Sequence, residues 1–431
     1  MLLITGGTVI DPATGVNEKK DLAVKDGKIR ELSAPGALSA LAALPGCQTI
    51  DATGCVVAPG LVDPHVHFRD PGQTHKEDIV TGAASAAKGG YTSVIMMGNT
   101  VPHPDTPETV RYMIDQGKKT PIRVYACGNV TMEMKGKTLT DMKALKAAGA
   151  VLFTDDGLPL RDADLMRRAC EQAASLHMMI SLHEEDPKYV KEPGINAGVV
   201  AKEMGLTGAS REAEITMVKR DIAIARETGC SITVQHISAA ETVELIREAR
   251  REGLSVHGEA SPHHFSLTED AVRKHGTNAK MNPPLRTEED RLAIIEGLRD
   301  GTIEMIATDH APHAPAEKAR PFTEAPSGII GLETALSLGI RTLVQTGCLS
   351  LENLLKCMST NPATITGISG GSLKIGAPAD IVVFDPDEIR VAGDYRSKSE
   401  NTPFTGEKMP GVVHATVCAG RIAYEKKKQV Q

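Results

Sequence analysis

Residues 56–68, VVAPGLVDPHVHF, and residues 92–99, TSVIMMGN, begin a series of short apolar segments that decides the fold of this 431-residue chain. Between about residues 55 and 345, stretches with apolar residues at helical spacing separate one segment from the next. Short strands that alternate with amphipathic helices are typical of βαβ units and of a parallel sheet. The sequence therefore predicts an α/β fold.

Six further segments continue the series. They are IRVYACGN (122–129), AVLFTDD (150–156), MMISLHEE (178–185), SITVQHIS (231–238), LSVHGEAS (254–261) and EMIATDHAP (304–312). Helical candidates lie between the segments at 77–88, 106–116, 141–148, 163–176, 211–228, 239–251 and 289–300. Eight strands with intervening helices predict a closed (β/α)8 TIM barrel, which takes about 250 residues and fits within this chain.

The two ends of the chain have a different pattern. Residues 1–54 are predicted to form short strands and turns, and the helical pattern stops after about residue 365. The simplest interpretation is that residues 1–54 and 366–431 pair into one small β-sandwich subdomain. Residues 55–365 then form the barrel, which we expect to be the catalytic domain.

The composition argues against several classes of function. The formal net charge is −7, aromatic residues make up 3% and there is no tryptophan, so a nucleic-acid surface is not expected. The eight cysteines form no CxxC pair and are interpreted as reduced thiols. No apolar run approaches the ~20 residues of a membrane helix, and the start of the chain lacks a positive leader. We therefore expect a cytoplasmic protein that binds a small molecule and neither nucleic acid nor membrane.

Imidazoles and carboxylates stand at the carboxyl ends of the predicted strands, where barrel active sites are built. They are His65 and His67 on the first segment, Asp155 and Asp156 on the fourth, His183 on the fifth, His236 on the sixth and Asp309 on the eighth. His65 and His67 are two residues apart on a strand, so both rings can reach one ion. A single histidine at a strand end is usually structural, but this set predicts a divalent metal site, and zinc accepts such ligands readily.

Three other histidines, His263, His264 and His310, are ambiguous, and we interpret them as supporting or packing residues rather than ligands. The chain has no GxGxxG or P-loop motif and no GxSxG elbow. Nucleotide binding and serine-based catalysis therefore have no support.

Along nearly its whole length the chain resembles the amidohydrolase superfamily. The resemblance rests on PGLVDPHVHFRDPG, on HAPH after the eighth-strand aspartate and on the closing run of residues 371–385. Within the superfamily, HVHFRDPG, MMGNT, FTDDG, SLHEE, QHIS, MNPPLR and TDHAPH are similar to class I dihydroorotases. The resemblance implies reversible hydrolysis of (S)-dihydroorotate to N-carbamoyl-L-aspartate in de novo pyrimidine (UMP) biosynthesis.

Carried over residue by residue, the resemblance implies six ligands for one or two Zn²⁺ ions per chain. They are His65, His67 and Asp309 for the more buried ion, His183 and His236 for the second, and Asp156 as the bridge. Hydroxide generated at the metal would attack the ring amide, with Asp309 as general base and acid.

The resemblance also implies a substrate-binding set. Arg69, Asn99 and His313 would meet the substrate carboxylate, and Asn282 would lie along the pyrimidine ring. A guanidinium next to an amide suits recognition of a planar carboxylate.

The fourth strand departs from the wider superfamily. Many relatives bridge two metals with a carboxylated lysine there, but AVLFTDDG has none, and Lys143 and Lys146 lie earlier in a helix. An aspartate must take its place. Asp155 and Asp156 point to opposite faces of a strand, so only one can face the site, and the family pattern favours Asp156.

Two alternatives stay open. An allantoinase, hydantoinase or dihydropyrimidinase would share the barrel and the metal but usually brings the strand-four lysine. A non-catalytic subunit of an aspartate transcarbamoylase complex would resemble the family but lose metal ligands, whereas this chain keeps the full set. The resemblance permits both a homodimer and an aspartate transcarbamoylase partner.

Overall fold

The computed structural model describes residues 1–427, and its first seven strands lie near the amino terminus. They are Leu2–Thr5 (β1), Thr8–Asp11 (β2), Val16–Lys19 (β3), Asp21–Lys25 (β4), Lys28–Ser33 (β5), Gln48–Asp51 (β6) and Val56–Pro59 (β7). A short 3₁₀ turn covers Ser39–Ala43. Four of these strands form one sheet in the order β5-β4-β1-β6.

Seven strands belong to the barrel. They are Leu61–Val66 (β8), Tyr91–Met96 (β9), Arg123–Ala126 (β10), Ile180–Leu182 (β11), Ile232–Val234 (β12), Val256–Ala260 (β13) and Met305–Ile306 (β14). They pair in parallel in two runs, β10-β9-β8 and β11-β12-β13-β14. A parallel bridge between Val66 and His310 joins the last strand to the first. The predicted (β/α)8 barrel is therefore closed on this side.

The fourth segment, AVLFTDD, is not a regular strand. Phe153 alone bridges the neighbours on both sides, Gly128 and Ile180. The segment leaves the sheet after Phe153 because the next residues enter a loop, in which the Asp155 carboxylate accepts hydrogen bonds from the backbone N–H of Thr131. One residue therefore closes the gap between the two strand runs.

The seven predicted helices are confirmed, with each end within two residues. The helices are Ile79–Lys88 (α1), Pro107–Gly117 (α2), Met142–Ala148 (α3), Ala163–Ser175 (α4), Val199–Glu203 (α5), Glu212–Thr228 (α6), Ala240–Arg251 (α7), Pro262–Ser266 (α8), Ala271–His275 (α9), Glu288–Asp300 (α10), Pro315–Lys318 (α11), Ala335–Gly339 (α12), Leu351–Leu355 (α13) and Asn361–Thr366 (α14). Single 3₁₀ turns cover Met132–Met134, Pro187–Tyr189 and Gly276–Ala279, and π-helical turns Ile340–Val344 and Lys356–Thr360 continue α12 and α13. Side-chain caps define several starts; Asp78, for example, accepts the backbone N–H of Thr81 at 2.8 Å.

The chain ends with Ile381–Val391 (β15), Lys408–Cys418 (β16) and Arg421–Glu425 (β17). These strands join amino-terminal strands in a sheet of order β17-β16-β15-β7-β2-β3. Apolar side chains at alternate positions, such as Ile381 and Val383, pack against Leu2 and Ile4 of the four-stranded sheet in one core cluster. The predicted β-sandwich built from both ends of the chain is therefore present.

One predicted strand is corrected. VVAPGLVDPHVHF holds two strands rather than one, because Val56–Pro59 pairs with Ile381 to Phe384 of β15 and thus belongs to the sandwich. We propose the division into residues 1–54 with 366–431 and residues 55–365 as the two units; Val56–Pro59, at the start of the second unit, pairs with the sheet of the first. Residues 428–431 of the predicted sandwich lie outside the described residues. Within residues 1–427, every helix is too short or too polar to cross a bilayer.

Candidate active site

A cavity of about 440 Å³ opens where the barrel strands end. Nine of the ten site residues predicted from the sequence line it: His67, Arg69, Asn99, Asp156, His183, His236, Asn282, Asp309 and His313. The tenth, His65, lies beneath the others and is 1% exposed. The structure thus brings all ten side chains to one place, while their individual roles stay predictions.

His65 is oriented by a carboxylate that the sequence analysis missed. The Nδ1 of His65 lies 2.8 Å from Oε1 of Glu259, near the end of β13, which turns the opposite nitrogen toward the cavity. There Nε2 lies 3.6 Å from Oδ1 of Asp156 and 3.5 Å from Oδ1 of Asp309. Glu259 follows the rule used for the other residues, since it is a charged residue at the end of a predicted strand, LSVHGEAS.

His67 is held in the same manner on the other side. Its Nδ1 lies 2.9 Å from Oδ1 of Asn99, and its Nε2 lies 3.0 Å from Oδ1 of Asp309. The same Nε2 is 3.4 Å from Oδ2 of Asp156. Alternation along β8 and the residue that follows it therefore places both imidazoles on the face that carries the carboxylates.

His183 and His236 form a second group. Nδ1 of His183 lies 3.0 Å from Nε2 of His236, and the two nitrogens lie 3.6 and 3.8 Å from Oδ1 of Asp156. Oε2 of Glu185 is 3.5 Å from the other nitrogen of His183. Two imidazole nitrogens and a carboxylate oxygen thus converge on one point.

Asp156 is common to both groups. Ligand atoms of His65, His67 and Asp156 lie within 4.8 Å of one another, and so do those of Asp156, His183 and His236. Asp155 faces the other way, where its carboxylate accepts the backbone N–H of Val130 at 2.9 Å and of Thr131 at 3.1 Å. Asp156 is therefore the carboxylate of this pair that faces the site.

The buried cluster carries groups that attract a cation. Burial disfavours the charged form of His183, yet the carboxylates of Asp156 and Glu185 raise the pKa of its imidazole to about 9. Burial alone would raise the pKa of Asp156, but the nearby histidines, above all His65, hold it well below its ordinary value. In addition, Nε2 of His65 is buried without a hydrogen-bond partner. Imidazole and carboxylate donors around such a centre suit a divalent metal ion.

Asp309 sits at a strained position in the cluster. Its φ is +48°, and His236 and Arg69 also have positive φ values, of +32° and +58°. Such backbone conformations are costly for residues other than glycine and concentrate at functional sites. Burial raises the pKa of the Asp309 carboxyl, but the hydrogen bond from His67 and the nearby imidazole charges hold the pKa below its ordinary value. The carboxylate is therefore ionised at neutral pH.

Arg69 supplies an unpaired positive charge on the cavity wall. Its Nε donates to the Pro312 carbonyl at 3.3 Å, and its Nη1 donates to Oδ1 of Asn99 at 3.5 Å. Within residues 1–427, no carboxylate oxygen lies within 4.0 Å of its guanidinium. Burial lowers its pKa to about 10, so the group is still cationic at neutral pH. An unpaired buried guanidinium beside a cavity favours an anionic ligand.

His313 stands next to this cation as a neutral imidazole. Its Nε2 lies 3.5 Å from Nη2 of Arg69 and 2.8 Å from the carbonyl of Ser327. Burial and the charge of Arg69 lower the pKa of His313 to about 2. Asn282 lines the same cavity, and its buried Oδ1 has no hydrogen-bond partner.

The three ambiguous histidines do not line the cavity. His310 accepts the backbone N–H of Gly331 at 3.1 Å, and His264 lies 3.0 Å from the Pro283 carbonyl. Burial lowers the pKa of His263 to about 4, so this ring is neutral. Their positions agree with the interpretation as supporting residues.

Comparison with known proteins places this geometry in a family. A family model described as dihydro-orotase-like matches residues 54–242. A dihydroorotase from Clostridioides difficile strain 630 is 50% identical over 98% of this chain and 100% of its own length. The chain belongs to the dihydroorotase family. A second member, from Clostridium acetobutylicum, is 46% identical over 99% of this chain and its own full length.

The dihydroorotase family shares its fold with other cyclic amidases. An L-hydantoinase (dihydropyrimidinase) from Arthrobacter aurescens superposes with a TM-score of 0.87 at 26% identity, covering 100% of this chain and 97% of the other. A dihydropyrimidinase from Brevibacillus agri NCHU1002 gives 0.83 at 22% identity, which shows the fold alone. The predicted amidohydrolase-type barrel and a metal-dependent cyclic amidohydrolase are thereby confirmed.

Proposed function

We propose that this chain catalyses the reversible hydrolysis of (S)-dihydroorotate to N-carbamoyl-L-aspartate, as a cytoplasmic enzyme of de novo pyrimidine biosynthesis. The observation that carries the proposal is the unpaired, buried guanidinium of Arg69 on the wall of the cavity that holds the His/Asp cluster. Dihydroorotate has one carboxylate in addition to its cyclic amide. The cation can bind the carboxylate while the cluster acts on the amide.

The cluster would hold one or two Zn²⁺ ions. His65, His67 and Asp309 form the first ligand set, His183 and His236 the second, and Asp156 lies between them. When bound, the metal supplies a Lewis acid and lowers the pKa of a bound water toward ~7. Glu259 and Asn99 contribute by fixing the imidazoles that face the cluster.

The protein's own residues then orient the substrate and move one proton. Arg69 and Asn99 donate hydrogen bonds to the carboxylate next to the His313 ring, and the amide oxygen of Asn282 is available to a ring N–H. Water adds to the ring amide carbon as the C–N bond breaks. Asp309 accepts a proton from the attacking water at a carboxylate oxygen and donates it to the leaving ring nitrogen. In the cyclisation direction the same carboxyl group runs these steps in reverse.

Arg69→Met should separate substrates by charge. Removing a charge-assisted hydrogen bond costs about 1.5–3 kcal/mol, or roughly 10- to 150-fold in kcat/KM for dihydroorotate. Dihydrouracil lacks the carboxylate, so its turnover should change far less. Steady-state kinetics on both substrates measures the difference. Equal losses on the two would assign Arg69 a structural role.

Asp156 should replace the carboxylated lysine of other superfamily members. We expect reconstitution of the metal-free protein to restore full activity without bicarbonate, and Asp156→Ala to be inactive. Metal reconstitution in bicarbonate-depleted buffer, with added bicarbonate as the comparison, measures this. A bicarbonate requirement, or an active Asp156→Ala enzyme, would reject the bridging role.

A hydantoinase or dihydropyrimidinase activity is the alternative with an observation in its favour, namely the similarity of the fold to the Arthrobacter aurescens enzyme. It predicts an uncharged substrate, for which a buried, unpaired Arg69 offers no benefit. A homodimer and an aspartate transcarbamoylase partner stay predictions from the family resemblance.

A further inference from the structure

One wall of the cavity is a segment without helix or strand, residues 322–328. Thr323 and Glu324 are exposed, but the carbonyls of the buried residues Ala325 and Gly328 must be satisfied by internal donors. Here the donors are buried side chains that come from outside the segment. Two of them are lysines that the mechanism above does not use.

Lys280 anchors the first part of the segment. Its Nζ donates to the carbonyl of Phe322 at 2.6 Å and to that of Ala325 at 2.7 Å. Its backbone carbonyl accepts the N–H of Gly328 at 2.8 Å, so this residue contacts both ends of the segment. Lys280 is 2% exposed and itself lines the cavity.

Lys318 anchors the last part. Its Nζ donates to the carbonyl of Pro326 at 2.9 Å and to that of Gly328 at 3.0 Å. Asn401 adds a third donor at this end, since its Nδ2 also donates to the Gly328 carbonyl at 3.0 Å. Lys318 is 6% exposed.

Neither ammonium group forms an ion pair among the described residues. Burying an unpaired charge is costly, and burial together with the charge of Lys280 lowers the pKa of Lys318 to about 7. Carbonyl oxygens are the partners of both groups. Both side chains are thus buried at a cost in stability, while their hydrogen bonds fix the course of this backbone.

The fixed segment in turn determines where His313 lies. The carbonyl of Ser327 is 2.8 Å from Nε2 of His313, and Gly328 approaches so closely that a Cβ built there would lie 3.3 Å from the same nitrogen. Gly328 has a φ of +120°, so a larger residue would also be strained. A shift of this backbone would therefore move His313 relative to Arg69.

We propose that Lys280 and Lys318 are positioning residues, which hold residues 322–328 so that His313 and Arg69 present one preformed site to the substrate carboxylate. The inference rests on the proposed function for the identity of the ligand. The anchoring of residues 322–328 by the two lysines does not depend on the proposed function. Preorganisation of this kind affects binding of the carboxylate more than the chemical step, which takes place at the cluster.

The test uses Lys318→Met and Lys280→Met in the full-length, metal-loaded protein. Losing the buried hydrogen bonds of either lysine should raise KM for dihydroorotate by about tenfold or more. The kcat value should stay within about threefold, because the cluster is untouched. Amide hydrogen exchange of residues 322–328, measured by mass spectrometry, should become faster in both variants whatever the substrate.

Lys146→Met is the matched control, because this exposed lysine also donates to a backbone carbonyl, that of Leu176, but does not line the cavity. It should leave KM and the exchange of residues 322–328 unchanged. The positioning role would be overturned by any of three results. These are unchanged exchange of residues 322–328 in both buried-lysine variants, a loss in kcat alone, or failure of both variants to fold. If the wild-type chain does not turn over dihydroorotate, the proposed function fails, and the exchange measurement still tests the hold on the segment.

Discussion

Asp309→Asn should lower kcat for dihydroorotate hydrolysis by at least ~10²-fold and as much as ~10⁴-fold, because general acid–base catalysis contributes this much. Asparagine keeps the shape of the side chain but cannot accept the proton from the attacking water. The Asp309 carboxylate, which lies 3.0 Å from the His67 ring nitrogen, is ionised at neutral pH. KM should change less than kcat, and metal content should be measured beside the kinetics.

The competing proton carriers are two histidines of the same region. If the Asp309→Asn enzyme kept more than about a tenth of kcat with its metal content unchanged, His313 or His264 would be the better candidate. The structure argues against both, since His313 faces the Ser327 carbonyl and His264 the Pro283 carbonyl.

The second large effect is expected for His67→Ala, which should lose bound metal and activity together. The imidazole faces both Asp309 and Asp156, and its removal leaves a gap in the first ligand set. Elemental analysis and a turnover assay on the same preparation measure the two losses. His257→Ala is a suitable control. Nδ1 of His257 lies 2.7 Å from Oε2 of Glu304, and His257 does not line the cavity, so the substitution should not change the metal content. Full activity with less than one metal per chain would contradict the assignment.

The periodic features of the chain could be predicted from its sequence. Helical spacing located the barrel helices, and polar residues after apolar segments located side chains that line one cavity, because each pattern is local. His65 and His67 are two apart on one strand, so their common face followed directly. Asp156 was distinguished from Asp155 only with the help of the family pattern.

Features that depend on tertiary contacts could not be predicted. Val56–Pro59 has the composition of a barrel strand, and only its pairing with β15 assigns it to the sandwich. Phe153 carries the fourth strand alone, because the following residues turn away into a loop. Lysine is usually exposed, so the burial of Lys280 and Lys318 could not be predicted. It is explained by the buried carbonyls of residues 322–328, to which both side chains donate. Glu259 could have been predicted, because it is a charged residue at the end of the segment LSVHGEAS.

The most direct test of the central proposal is a comparison of substrates with the purified chain. Hydrolysis of dihydroorotate, allantoin, hydantoin and dihydrouracil would be followed in parallel, with metal content determined on the same sample. We predict that dihydroorotate is turned over with a kcat/KM far above that of the three substrates without a carboxylate, and that at least one metal ion is bound per chain. Preferred turnover of hydantoin, allantoin or dihydrouracil would contradict the proposal that Arg69 binds a substrate carboxylate, and with it the proposed function.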